Sequence, residues 1–235
     1  MDHKLKEVQQ KLYEQLKPSG WADKLKLFIL SDDFLTILKT LMKESLAGDK
    51  FTPTIKHIFR AFEHCPYNEL KLVMLAQDPY PREGVADGIA FSCSKTEHPS
   101  QIQPSLKYIY KGLEEAGVEH HHTYDLKDWS KQGILLLNSA LTTQIGKPGS
   151  HTKLWEPFIK YVLDVLNQDT GIVYLLMGNV AQSYGNHINE DNNFIFKCTH
   201  PASAVYHEDK RWHHQNIFKE VDTTIKKQYN YEIKW

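Results

Sequence analysis

Four short, almost uninterrupted apolar runs constrain the fold of this chain more than any other feature. They are KLVMLA (71–76), ILLL (134–137), IVYLLM (172–177) and FIFKC (194–198). Each is too short for a core-spanning helix and too apolar to have one wet face. Strands buried on both sides have this character, and they belong to parallel sheets covered by helices. The segments around them carry apolar residues at helical spacing, which predicts helices over 3–17, 32–47, 54–63, 104–116, 155–168 and 212–228. Pro104 and Ser105 open the fourth of these, and Gly117 closes it. Strands alternating with helices predict the α/β class. The expected architecture is a single domain over 1–235, with a central short parallel four-stranded β-sheet flanked by helices on both faces.

Composition narrows the function classes. Of 235 residues, 41% are hydrophobic and 24% charged, enough for a core and too apolar for disorder. No apolar run approaches the roughly 18 residues of a membrane span, so no membrane partner is expected. The start, MDHKLKEVQQ, has no apolar core of a secretory signal. Cys65, Cys93 and Cys198 lie far apart, and three cysteines argue against a disulfide framework. These features predict a cytoplasmic protein. The net charge is −1, so any nucleic acid must meet a local positive face rather than the charge of the whole chain.

The residues after each apolar run carry the chemistry. Gln77-Asp78-Pro79-Tyr80-Pro81 follows the first, Asn138-Ser139 the second, Gly178-Asn179 the third and Thr199-His200-Pro201 the fourth. Open α/β sheets bind ligands at the carboxyl ends of their strands, so these groups are expected on one rim. Asp78, in a loop stiffened by two prolines, can orient a water or stabilise a developing cation. It can equally be a turn acid. Asn138 matches the hydrogen-bonding edge of a nucleobase, or ties down its own loop. His200 can donate to an oxyanion, or simply satisfy a strand end. Phe91 in GIAFS (88–92) offers a stacking face, or core packing.

Other motifs carry less. His120-His121-His122 reads as a solvated loop, since three adjacent histidines on a regular element cannot all face one ion, and no HExxH or CxxC accompanies them. No metal site is therefore expected. GxSxG, Walker and GxGxxG patterns are absent, which argues against a nucleophile elbow, nucleoside triphosphates and dinucleotides.

The combination of blocks resembles the family-1 uracil-DNA glycosylases. LVMLAQDPYPREGVADGIAFS (72–92) is similar to their water-activating motif and QGILLLNSALT (132–142) to their uracil-reading strand. SHTKLWEPF (150–158), MGNVAQ (177–182) and THPASAVY (199–206) follow in the family's order, and FTPTIKHIFRAFEHCPYNELK (51–71) resembles the preceding segment. The resemblance implies hydrolysis of the N-glycosidic bond of deoxyuridine in DNA without metal or cofactor. It implies that Asp78 orients water, Gln77 lies beside uracil, Tyr80 blocks the thymine methyl and Phe91 stacks on the base. Asn138 would read O4 and N3–H, and His200 would lie near O2. Pro104, Ser105, Gly178, Asn179, Ala202, Ser203, Ala204 and Val205 are the expected DNA contacts. Expected partners are uracil-containing DNA, single- or double-stranded, and a DNA-mimicking inhibitor protein; the chain itself is expected to be a monomer.

Several positions depart from the family pattern. Ala76 replaces a glycine, Pro81 a histidine and Asn179 a serine. After His200-Pro201 the family has Ser-Pro-Leu, whose leucine plugs the gap left by the flipped base; here Ala202-Ser203-Ala204-Val205 follows. Either Ala204 or Val205 is then the wedge, and so short a wedge predicts slower excision from duplex than from single-stranded DNA. Lys210-Arg211-Trp212-His213-His214 is expected to compensate at the phosphates. The competing reading is a catalytically weak DNA-binding or replication-associated module of the same fold. A sister glycosylase for other damaged bases is a third, which Tyr80 and Asn138 disfavour.

Overall fold

In chain order the computed structural model contains α1 (Asp2–Gln15), α2 (Trp21–Ile29), α3 (Asp32–Leu46), β1 (Phe51–Thr52), α4 (Arg60–His64), β2 (Leu72–Ala76) and α5 (Pro104–Glu115). There follow α6 (Lys127–Ser130), β3 (Ile134–Asn138), β4 (Thr143–Gln144), α7 (Thr152–Leu166), β5 (Val173–Met177), α8 (Asn179–Ser183), β6 (Phe194–Cys198) and α9 (Ile217–Tyr229). The structure describes residues 2–95, 98, 101–209, 212 and 216–235. Four strands form an all-parallel sheet in the order β3-β2-β5-β6. The two-residue strands β1 and β4 pair antiparallel beside it.

The expected strands and the expected α/β architecture are present. Side chains alternate across the sheet as the pleat requires. Val73, Leu75, Leu135, Leu137, Tyr174 and Leu176 face the helices α1–α4 and α7. Leu72, Met74, Leu136, Leu175 and Met177 face α5, α6 and α9. Burying each such side chain contributes roughly 1.5–3 kcal/mol, so both faces help hold the strands in register. β6, one of the two edge strands, departs from the expectation of full burial: Phe194 at its start is exposed.

Several helix boundaries differ from the sequence reading. α2 was not anticipated. Gly20 at φ 78° breaks the chain after α1, and the nine residues that follow bury Trp21, Leu25, Phe28 and Ile29 on one stripe. The helix expected over 54–63 splits into a 3-10 turn at Ile55–His57 and the short α4, because Phe59 leaves helical geometry. The last helix starts at Ile217 rather than at 212, after Asn216 in the left-handed region. Cys65, Cys93 and Cys198 are all buried. Among the described residues, no helix is long and apolar enough to cross a membrane.

The register fixes where the site lies. Ala76 pairs with Asn138, Leu75 with Leu176 and Met177 with Cys198. The strands therefore end nearly level, and the loops after them leave from one rim.

Candidate active site

Gln77, Asp78, Tyr80, Phe91, Asn138 and His200 line one cavity of about 470 Å³ at that rim. Pro104, Ser105, Ala202 and Tyr206 border it. The structure thus brings together six residues read as a site from three distant segments, 77–91, 138 and 200.

Asp78 is partly buried, and burial pushes its carboxyl above the usual carboxylate range. The backbone N–H of Gly149 donates to its Oδ2. With the Thr143 hydroxyl and the charge of His151, that contact opposes the shift and favours the carboxylate. Gly149 and Thr143 were missed by sequence reasoning. Their contribution is a backbone N–H in the turn before SHTKLWEPF and a hydroxyl on β4, and residue type alone does not announce either.

The Gln77 carbonyl accepts from the Ala140 N–H at 3.0 Å and the Ser139 hydroxyl at 2.7 Å, which ties the end of β2 to the loop after β3. Asn138 is 7% exposed, at the last position of β3. Tyr80 donates its hydroxyl to the Phe91 carbonyl at 3.0 Å.

Phe91 has φ 65°, a left-handed conformation that costs a non-glycine residue roughly 1–2 kcal/mol. Asp87 builds the turn that imposes it. Its carboxylate accepts from the Ile89 and Ser94 N–H groups, each at 3.1 Å, and from the Ser92 hydroxyl at 2.6 Å. Arg60 pairs with the same carboxylate at 2.8 Å. Gly88 lets this turn lie against α4's approach: a Cβ there would stand 1.9 Å from the His57 carbonyl oxygen. Asp87 and Gly88 are further residues that the sequence reading passed over, although both stand in the quoted block.

The proton of His200 can be placed from its partners. Nδ1 lies 3.2 Å from the Ala202 N–H, which can only donate, so Nδ1 carries the lone pair. Burial lowers the imidazole pKa. The ring is therefore neutral with its proton on Nε2, a hydrogen-bond donor.

The expected DNA contacts divide. Pro104 is exposed at the first turn of α5, with Ser105 buried beside it at the cavity wall. Asn179 is exposed at the start of α8. Gly178 departs from expectation: it is buried, its N–H bonds the Cys198 carbonyl at 2.9 Å, and a Cβ would stand 2.9 Å from His200 Cβ. It leaves room for His200 and offers no exposed surface. Ala204 is fully buried and cannot be a wedge. Residues 201–206 wind as a 3-10 helix, in which positions three apart eclipse, so Ala204 follows Pro201 into the core. The Ser203 hydroxyl is also buried, with no partner among the described residues. Ala202 borders the cavity, while Val205 turns into a neighbouring groove against α5. The large exposed side chain at the mouth is Tyr206, 90% exposed. In the basic stretch, Trp212 is buried and donates to the Thr199 carbonyl at 3.0 Å; Lys210, Arg211, His213 and His214 lie outside the described residues.

Burial raises the folded-state pKa of Asp78 above its unfolded value, near 3.9. The folded state therefore holds that proton more tightly, and stability is lost as pH rises through the folded pKa. Asp78→Asn is expected to melt above wild type at neutral pH, with the difference shrinking as pH falls into the ordinary carboxylate range. Thermal melts of both proteins across that range check this; a pH-independent difference would contradict the assignment.

The Uracil DNA glycosylase superfamily matches residues 62–222. A uracil-DNA glycosylase of Xanthomonas oryzae pv. oryzae is 36% identical over 196 residues, covering 82% of this chain and 80% of that protein. One from Xanthomonas campestris pv. campestris is 35% identical over the same length. Among solved structures, mimivirus uracil-DNA glycosylase superposes with a TM-score of 0.82 at 21% identity, covering 95% of this chain and 88% of that one. A mimivirus variant solved in complex with UGI gives 0.81 at 21% identity, covering 92% and 87%. The superfamily match and the Xanthomonas relatives, which this chain covers over most of its length, agree with the rim that the parallel sheet builds: the chain belongs to the uracil-DNA glycosylase superfamily.

Proposed function

We propose that this chain is a uracil-DNA glycosylase of the family-1 type. It hydrolyses the N-glycosidic bond of deoxyuridine in DNA, releases uracil and leaves an abasic site. The observation that carries this reading is the convergence of Asp78, Asn138, Phe91 and a neutral Nε2-protonated His200 on one cavity. The chemistry uses groups of the chain itself and calls for no cofactor.

A base inside a duplex is out of reach, so the nucleotide is extruded at a cost of a few kcal/mol. Stacking on Phe91 offsets part of that cost. Asn138 then meets the O4 and N3–H edge. Cytosine would present a donor to the Asn138 donor and leave buried groups mismatched. Tyr80 occupies the space a C5 methyl would need. As the bond to uracil breaks, positive charge grows on the sugar and negative charge on O2. Asp78 stabilises the first and aims water at C1′; His200 donates Nε2–H to the second. Gln77 closes the pocket beside the base.

Around this pocket, Pro104, Ser105, Asn179 and Ala202 meet the DNA backbone. Tyr206 takes the wedge position that the sequence reading gave to Ala204 or Val205. Its ring can stack in the gap left by the extruded base, which removes the reason for expecting poor duplex activity. Lys107 and Lys111 line the adjoining groove and supply local positive charge despite the net charge of −1. These two features favour the enzyme over the weak-binder alternative. The protein works as a one-domain monomer in the cytoplasm on single- and double-stranded DNA. A DNA-mimicking inhibitor protein would dock over the same mouth, in keeping with the mimivirus complex with UGI.

Oligonucleotides carrying one uracil, assayed in chelator, test the assignment. Wild type is expected to release uracil, and Asp78→Asn to lose about 10²–10⁴-fold in turnover while still binding uracil-DNA. No release by wild type would move the protein to the binding-module reading. Tyr80→Ala is expected to release thymine measurably; no release at all would remove Tyr80 from selectivity. Tyr206→Ala should lower kcat/KM on duplex by about 5- to 150-fold, the range of one base–aromatic stack, and much less on single strands. Equal losses on both substrates would rule out the wedge role.

A further inference from the structure

The run His120-His121-His122, read from sequence as a solvated loop, does not stand alone in the fold. It follows α5, and the rings of His120 and His122 lie side by side, 5.3 Å apart. His120 and His122 face Glu114 in the last turn of α5, with one ligating atom of each residue within 4.8 Å of the others. The Nε2 of His122 lies 3.5 Å from Glu114 Oε1, and the Nε2 of His120 lies 3.8 Å from the same oxygen. Ligand atoms about 2.0–2.1 Å from a tetrahedral ion stand roughly 3.4 Å apart, so both separations are close to those of a filled site.

Protonation is arranged as well. His120 Nδ1 lies 3.0 Å from the Val118 carbonyl oxygen, which can only accept. The proton therefore sits on Nδ1, and in the neutral ring Nε2 presents its lone pair toward Glu114 and His122. Metal-bound histidines are held in this way, the far nitrogen donating to a carbonyl or carboxylate. The Tyr110 ring stacks on His120 at 5.7 Å and contacts His122 at 4.5 Å, and the Tyr110 hydroxyl accepts from the Thr123 N–H at 2.9 Å. The segment is thus fixed before any ion arrives. The helix C-terminus adds negative potential that favours a cation.

We propose that Glu114, His120 and His122 form a binding site for a divalent ion of the zinc class, with water in the fourth position. It is separate from the excision cavity: Glu114 lies ten residues, roughly 15 Å, along α5 from Pro104. Its role is to clamp the 118–123 segment to α5, the helix that presents Pro104 and Ser105. It also reverses local charge. Two neutral imidazoles and a carboxylate carry −1; with the ion they carry +1, at the end of the groove lined by Lys107 and Lys111.

The test uses chelator-treated full chain titrated with Co²⁺ and with Zn²⁺. Wild type should take up one equivalent of Co²⁺ with the intense visible absorption of a tetrahedral site. Zn²⁺ at a hundredfold excess over its Kd should raise the melting temperature by roughly 5–10 °C. His122→Ala and Glu114→Gln, both at exposed side chains, should lose both responses while matching wild-type circular dichroism and melting without metal. His121→Ala, in the same run but outside the cluster, should keep them. Retention by His122→Ala, equal loss in His121→Ala, or no Co²⁺ spectrum in wild type would each overturn the proposal.

Discussion

The Asp78 carboxylate sits in a place that water only partly reaches, with the Gly149 N–H directed at one of its oxygens. The rest of the rim serves that position. Burial makes the carboxylate costly, and the same low dielectric makes its field strong in the cavity beside it. Two rigid sheet faces oppose the cost, because each strand is gripped by side chains on both sides. The segment carrying Gly149 returns to the sheet through Thr143 and His151, whose buried ring bonds Thr142 at 2.8 Å and Glu44 at 2.8 Å. The carboxylate is thus held by parts of the chain that join the β2 loop only in the folded state.

Hydrogen-bond partners, more than acidity alone, decide the role of each imidazole. His200 accepts from a backbone N–H and is left to donate from its other nitrogen. His120 donates to a carbonyl and is left to accept from its other nitrogen. In the proposed roles one residue type serves as an electrophile at the rim and as a ligand at the end of α5, because the backbone beside each ring presents opposite polarity.

Much of this was legible in the sequence, for a physical reason. Strands in a parallel sheet read as continuous apolar runs, and the residues after them must emerge at one edge. Gln77, Asp78, Asn138 and His200 therefore declared themselves by position. What stayed hidden acts through backbone or through the path of a loop. Gly149 contributes an N–H that any residue but proline possesses. α2 was missed because the conformation of Gly20, rather than a capping side chain, marks its start. The burial of Ala204 was equally hidden, because a 3-10 helix turns every third residue inward and leaves Tyr206 as the large exposed side chain.

The hydrogen bond from the Tyr80 hydroxyl to the Phe91 carbonyl has a consequence for how such a pocket can change over time. The residue proposed to reject a methyl group is fastened to the residue proposed to stack on the base. A lineage that widened the pocket by shrinking Tyr80 would at once free the carbonyl of a residue already held in an unfavourable backbone conformation. Broader substrate range and weaker capture of every substrate would arrive in one step. Drift toward excising a normal base therefore carries its own penalty, built into a single contact.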